Sequence, residues 1–309
     1  MKALLHSPWL KFGVILLVAL LSISILFPIR VTPASAPPDR FSVERAMNHL
    51  IVIAAEPHPS GSPAQAQVRD YLVQQLTAWG LEVEVQQTGA VENVLARLHG
   101  TGSSQAILLQ AHYDSYRGPG AADNGSGTAA LLEIMRALSK GPALRNDVIA
   151  LFDDSEEKPV PFRGTKAFIR EHPWMADVRA VIGMDTAVRG PISVDDTGLN
   201  NGWMVRVLVR AYNNGAWTSM SGGGGYDSGP FKLAGVQVLE LEDNYPFVEQ
   251  HTPQDVPSII RPGTLQQLGE QTLAVTRAMD KLGLENTRAP QQVFLFVPYI
   301  GLLHYPQTW

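Results

Sequence analysis

The residues able to do chemistry fall into a short series of motifs: His112 and Asp114 in AHYDS, Asp123 in GPGAADNGSG, Glu156-Glu157 in DSEE, Asp185 in GMD, and His251 in HTPQD. The chain has no cysteine, which excludes disulfides, thiolate metal sites and a cysteine nucleophile. A metal here must be held by His, Asp and Glu, and imidazole nitrogen and carboxylate oxygen are the non-thiolate ligands of zinc. Two metals about 3.5–4 Å apart need an acidic group that can bridge them. Asp123 suits that role, because a short glycine-rich loop lets backbone approach the metals and sets the carboxylate near a helix start. His112 and Asp114 stand two apart on a predicted strand and point the same way, so Asp114 can accept the second ring N–H of His112 and fix its tautomer. Glu156 and Glu157 are adjacent and cannot reach one place unless a turn reorients them. One of the two is therefore expected to ligate metal while the other acts as general base.

Each candidate lies at or beyond the carboxyl end of a predicted strand, the edge where open α/β sheets bind ligands. Helices are expected from Ser42 to about Ala55 and from Ala64 to Trp79, the second with Val68, Tyr71, Leu72 and Leu76 at helical spacing and Gly80 as its stop. From Leu81 the period changes to two, and LEVEVQQ, VENVLARLHG and SSQAILLQAHYD read as successive strands. A helix from Gly125 to Ser139, the strand DVIALFDD, a helix from Thr165 to Glu171 and the strand RAVIGMD follow. GWMVRVLVRAY is expected as a strand, SMSGGGGYDSGP as a loop, VQVLELED as a strand and Pro262 to Lys281 as a helix. The tail QQVFLFVPYIGLLHYPQTW reads as a closing strand or hairpin. The alternation implies an α/β fold, with a mixed, mostly parallel central sheet flanked by helices on both faces.

With 309 residues and 45% hydrophobic content the chain can bury a substantial core. A net charge of −5 leaves no basic footprint, so no nucleic acid partner is expected. Phe12 to Ile29 runs without a charge, between Lys2 and Lys11 on one side and Arg30 on the other, and is long enough for a transmembrane helix. Residues 1–30 are expected as a signal-anchor, with the body extracytoplasmic by the positive-inside rule. The alternative is a signal peptide cut after Ala34-Ser35-Ala36 and a secreted product, although prolines 37 and 38 stand against the cut. Residues 31–42 read as a semi-rigid linker and 43–309 as the catalytic domain.

The motifs AHYDS, GPGAADNGSGTAALLE, DSEE with GTKAF, GMD and HTPQD, in that order, resemble the co-catalytic di-zinc aminopeptidases. That family includes bacterial leucine aminopeptidases, membrane metallopeptidases of the endoplasmic reticulum, glutamate carboxypeptidases and glutaminyl cyclases. The similarity runs from about Phe41 to the last helix and includes HPSGSPAQAQVRDYLVQQL. It implies a zinc-peptidase-like three-layer sandwich in which His112 and Asp185 bind one Zn2+, Glu157 and His251 bind a second, and Asp123 bridges them. It also implies that Glu156 is the general base toward the water between the zincs, that Asp114 orients His112, that Asp255 holds the His251 loop, and that the peptide after Asp123 is strained or cis. The implied activity is release of N-terminal residues from a peptide substrate. A carboxypeptidase, a glutaminyl cyclase-like enzyme and a non-catalytic receptor-like member are the alternatives.

The segment KPVPFR after Glu157 departs from the family pattern, being about two residues longer and carrying two prolines. For the tyrosine that supports the oxyanion in some relatives, Tyr226 and Tyr245 are weak candidates. Asp153 and Asp154 are expected in structural roles or in support of the ligands, with extra ligands as the alternative, Asp227 is expected to be structural, and His58, His99, His172 and His304, with no motif around them, to be surface or loop residues.

Overall fold

The computed structural model describes residues 8–24, 30–157, 160–211, 218–219, 227–243, 247–297 and 301–308. Its centre is a sheet of β1 (Glu82–Thr88), β2 (Val91–Leu98), β3 (Ser103–His112), β4 (Asn146–Asp153), β5 (Val178–Met184), β6 (Ile192–Asp196), β7 (Thr218–Ser219) and β8 (Gln237–Asp243). The spatial order is β1-β2-β4-β3-β5-β8-β6-β7. Strands β4, β3, β5 and β8 are parallel, while β1 and β2 extend one side and β6 the other as antiparallel neighbours. The parallel strands of the sheet centre thus end together at one edge.

Side chains leave a strand alternately to its two faces. Ile107, Leu109 and Ala111 of β3, with Val148, Ala150 and Phe152 of β4, enter one core, and Ala106, Leu108, Ile149 and Leu151 enter the other. The larger core is closed by α2 (Val43–Ile53), α3 (Pro63–Ala78), α4 (Ser126–Ser139), α6 (Gly202–Ala211) and α8 (Pro262–Leu282). On the opposite face α5 (Arg163–Glu171) and α7 (Gly229–Leu233) contribute Phe168 and Phe231. Helix starts follow local chemistry, with Ser42 and Ser62 accepting the N–H of Arg45 and Gln65 and Pro63 opening α3. Gly80, at φ +82°, ends that helix in a conformation costly for other residues.

Three sequence expectations change. GWMVRVLVRAY is helical, not extended: Trp203, Met204, Val207, Leu208 and Ala211 are buried at helical spacing and pack toward α8, which outweighs the β preference of its valines. The strand β6 lies in a stretch that the sequence leaves irregular. Residues 31–42 do not stand off as a spacer: Thr32 donates to Gln266, the Arg45 guanidinium donates to the carbonyls of Ala34, Ala36 and Arg40, and Phe41 is buried. The tail forms the expected hairpin, β9 (Gln292–Val297) with β10 (Gly301–Pro306).

At the N-terminus α1 covers Pro8–Ser24, and the rest of the expected membrane span, 25–29, lies outside the described residues. Among the described residues no helix is long and apolar enough to cross a membrane.

Candidate metal centre

His112 closes β3, Asp123 lies in the loop between β3 and α4, and Glu156 and Glu157 follow β4. Asp185 follows β5 and His251 lies in the loop after β8, so all six candidates reach the same sheet edge. Two groups of three come together, His112 with Asp123 and Asp185, and Asp123 with Glu157 and His251, with the ligand atoms of each group within 4.8 Å of one another. Asp123 belongs to both. Its Oδ1 lies 3.2 Å from His112 Nε2 and its Oδ2 3.1 Å from His251 Nε2, while His251 Nε2 is 3.0 Å from Glu157 Oε1.

The loop that carries Asp123 is held from below. Asp255 accepts the N–H of Ala122 at 2.7 Å and of Asp123 at 3.3 Å, and Asn124 donates to the Met184 carbonyl at 2.8 Å. The Asp123-Asn124 peptide is cis. Thr128 of α4 donates to the His112 carbonyl at 2.7 Å, tying strand end to helix start.

Asp114 lies beside the His112 ring, as its spacing suggests, and makes further contacts that the spacing does not reveal. The carboxylate stands 3.6 Å from His112 Nδ1, and the backbone carbonyl of Asp114 is a nearer acceptor at 3.1 Å. Its two carboxylate oxygens also accept the N–H groups of Glu156, at 3.1 Å, and Glu157, at 3.4 Å. Ser155, left-handed at φ 60°, supplies the turn that the adjacent glutamates require. Glu156 Oε1 then accepts the Thr165 N–H at 2.9 Å, while Glu157 faces His251. The two carboxyl groups part company at one buried acceptor.

Sequence reasoning missed Gln110, Thr165 and Gln250 and expected Asp153 in a supporting role. Asp153 at the end of β4 is fully buried and accepts from Thr165 Oγ1 at 2.6 Å and Gln110 Nε2 at 2.6 Å. Gln250 donates to Asp123 Oδ2 at 2.7 Å. Polar residues inside otherwise apolar strands, such as Gln110, were the available signal. Asp154 is buried and binds Gln65 and the Glu92 N–H, a structural role as expected. His58 and His172 lie in loops, as expected, yet are buried, His58 donating its backbone N–H to Ser115 Oγ and His172 stacking on Phe168. His99 and His304 are exposed. Tyr226, Tyr245 and the GGGG loop lie outside the described residues, as do residues 158 and 159 of the KPVPFR segment.

The electrostatics are those of a cation site. Burial raises the Asp185 carboxyl to about 7, helped by the neighbouring Asp123. Burial, then Asp153 and Asp227, raises Glu156 well above the carboxylate range. Asp123 runs the other way, because His112 and His251 overcome the upward push of burial. His112 is raised despite burial by Asp114 and Asp123. Asp185 Oδ1 is buried and has no hydrogen-bond partner among the described residues, a costly state that a cation would relieve. Two imidazoles and three carboxylates in two groups sharing one acid fit a pair of divalent ions with zinc's ligand preferences.

A family model described as Peptidase family M28 matches residues 93–276. The chain is 29% identical over 235 residues to Endoplasmic reticulum metallopeptidase 1 of Mus musculus, covering 69% of this chain and 25% of that protein. It is 28% identical over 237 residues to Vacuolar membrane protease of Candida albicans (strain WO-1), covering 69% and 27%. It thus spans about a quarter of the length of these curated relatives. Among solved structures, the Legionella pneumophila LapA aminopeptidase superposes with a TM-score of 0.71 at 14% identity, over 79% of this chain and 73% of that one. That likeness is one of fold.

Proposed function

The chain belongs to peptidase family M28, and from that premise we propose that it is a two-zinc aminopeptidase that removes N-terminal residues from peptides. The observation that carries the reading is the pair of ligand groups sharing Asp123, with Glu156 buried beside them. His112 and Asp185 would hold one ion, Glu157 and His251 the other, and Asp123 both. When bound, such ions supply Lewis acidity that polarises a peptide carbonyl and lowers the pKa of water.

The remaining work falls to the side chains. Glu156 takes a proton from the attacking water and delivers it to the leaving amine. Burial and the carboxylates of Asp153 and Asp227 favour its protonated form, which makes it a strong proton acceptor once ionised. Asp114 is a positioning residue that aims Glu156 and Glu157 apart through their backbones. The charge-free run from Phe12 to Ile29 would anchor the domain in a membrane with its body extracytoplasmic.

The test is a panel of unblocked and N-acetylated peptides, assayed on the full chain after chelation and again after zinc is restored. Cleavage of unblocked peptides only, lost with chelator and regained with zinc, is expected. Cleavage of acetylated peptides from their carboxyl end, or no cleavage of unblocked peptides with zinc present, overturns the reading.

A further inference from the structure

Beside the metal centre stands a side chain that the chemistry above does not use. Tyr116 meets the His251 ring edge-on, with centroids 5.2 Å apart and an interplanar angle of 88°. The guanidinium of Arg117 lies over the Tyr116 ring, 4.9 Å from its centroid. The three groups form a wall leading outward from a candidate metal ligand.

This wall is built into the fold. Ser115 is fixed at both polar groups, its N–H donating to the His58 carbonyl at 3.2 Å and its hydroxyl accepting the His58 N–H at 2.8 Å. Gly118 lies so close to the Thr252 carbonyl that a side chain there would collide with it, which clamps the loop to the residue after His251. Arg117 itself is left-handed, at φ 60°, a conformation rare for a long side chain.

Arg117 is exposed, and among the described residues no carboxylate lies within ion-pair distance of it. Arg189, the cation on the other side of the His251 loop, is neutralised by Glu249 at 2.6 Å. A guanidinium held over a ring still has N–H groups to offer, and its planar fork matches a carboxylate in a two-point hydrogen bond.

Distance sets where on a substrate the carboxylate would be. The two ring contacts put the guanidinium no more than about 10 Å from the His251 ring, and an extended residue spans ~3.3–3.6 Å. The partner therefore lies within about three residues of the scissile bond. On the aminopeptidase reading, on which this inference rests, chain extends only on the leaving-group side. We propose that Arg117 is a specificity-determining residue that binds a carboxylate on the leaving peptide. The preferred substrates are then short peptides, read through their C-terminal carboxylate, or peptides with an acidic second or third residue.

The experiment uses the zinc-loaded full chain and four peptides: Leu-Gly-Gly, Leu-Gly-Gly-amide, Leu-Gly-Glu-amide and Leu-Gly-Gln-amide. At low salt, KM for a carboxylate-bearing peptide is expected to be roughly tenfold below that of its amide partner, with the difference in KM rather than kcat. The first pair reports a terminal carboxylate and the second a side chain, so the pair that shows the difference identifies the source. In Arg117→Met the KM ratio within each pair falls to within about twofold, and Arg117→Lys retains part of it. In the wild type, raising the salt shrinks the ratio, an arm that needs no variant. Equal KM values within both pairs, a ratio untouched in Arg117→Met, or a ratio indifferent to salt overturns the proposal. If none of the three amides is cleaved, the aminopeptidase reading itself fails and this one falls with it.

Discussion

Glu156→Gln separates turnover from stability. In the folded chain Glu156 Oε1 accepts from Thr165, while Oε2 is buried and has no partner among the described residues. Glutamine keeps an oxygen on Thr165 and sets its amide nitrogen in place of Oε2, with no change of volume. Losing the proton acceptor should lower kcat by about 10²–10⁴-fold, with KM moving far less because the lost interaction belongs to the transition state. Stability moves the other way in the metal-free chain. Burial, then Asp153 and Asp227, raises the folded-state pKa of Glu156 well above its ordinary 4.5. As pH climbs past 4.5 the unfolded chain gives up this proton first, so wild-type stability falls with a slope of at most ~1.4 kcal/mol per unit until Glu156 ionises in the fold. Glutamine carries no such penalty. Above that start the variant is expected to be the more stable of the two in thermal melts, by a margin that grows with pH until Glu156 ionises in the fold. Hydrolysis of an aminoacyl anilide and thermal melts of the chelator-treated protein at pH 5 and pH 7 measure the two effects. A kcat within threefold of wild type refutes the role in proton transfer, and a melt no higher than wild type at pH 7 refutes the electrostatic account.

Asp114→Asn weakens the acceptor that aims both glutamates and should lower zinc affinity by about 10–100-fold, measured by competition with a chromogenic chelator; unchanged affinity would detach Asp114 from the centre. Mass spectrometry of metal content should find two zinc ions in the wild type and at most one in Asp123→Ala, whereas a saturated wild type with one ion contradicts the sharing of Asp123. Zinc at about 100 times its Kd should stabilise the fold by ~2.7 kcal/mol, and calorimetry in buffers of different ionisation enthalpy should register proton release, because Asp185, held near 7, must deprotonate to bind. Far from the site, a methyl group at Gly269 would fall within the ring of Phe41, so Gly269→Ala should cost about 1–3 kcal/mol in denaturant melts while kcat holds. An unchanged melt would mean that residues 31–42 adjust without strain.

How much of this was legible in the sequence depends on how local the determining physics is. The strand-end positions of His112 and Asp185 follow from apolar runs that stop at a polar residue, and β3, β4, β5 and β8 were read from such runs. The helix at 202–211 was not, because Val205, Val207 and Val209 alternate as a strand would, and only packing toward α8 selects the helix. The His112–Asp114 spacing suggested a ring contact, yet nothing in AHYDS encodes that β4 places the N–H groups of Glu156 and Glu157 beside Asp114. Gln110 looks like an ordinary interruption of a strand, since it pairs with Asp153 only when β3 and β4 align in parallel. Arg117 carried no signal, its meaning resting on Tyr116 reaching a histidine 135 positions away in the chain.

The same alignment explains why the fold tolerates so many acids at one edge. Asp123, Asp153, Glu156 and Glu240 are all buried there, and an isolated ionised carboxylate is far too costly to bury unpaired. Two devices are visible. Asp153 and Glu156 share Thr165, and Glu240 takes the Ser228 hydroxyl and is pushed up to about 8 chiefly by burial, which also shifts Asp153 and Glu156 toward their neutral form. Asp123 stays ionised between two imidazoles. The second arrangement keeps a charge at the centre, where the proposed metal ions would replace the protons on His112 and His251. The edge therefore treats its acids differently, with Asp153, Glu156 and Glu240 shifted toward the neutral form and Asp123 ionised between the imidazoles. That division depends on Ser155 and Asp114 turning Glu156 toward Thr165 and Glu157 toward His251 within two consecutive residues.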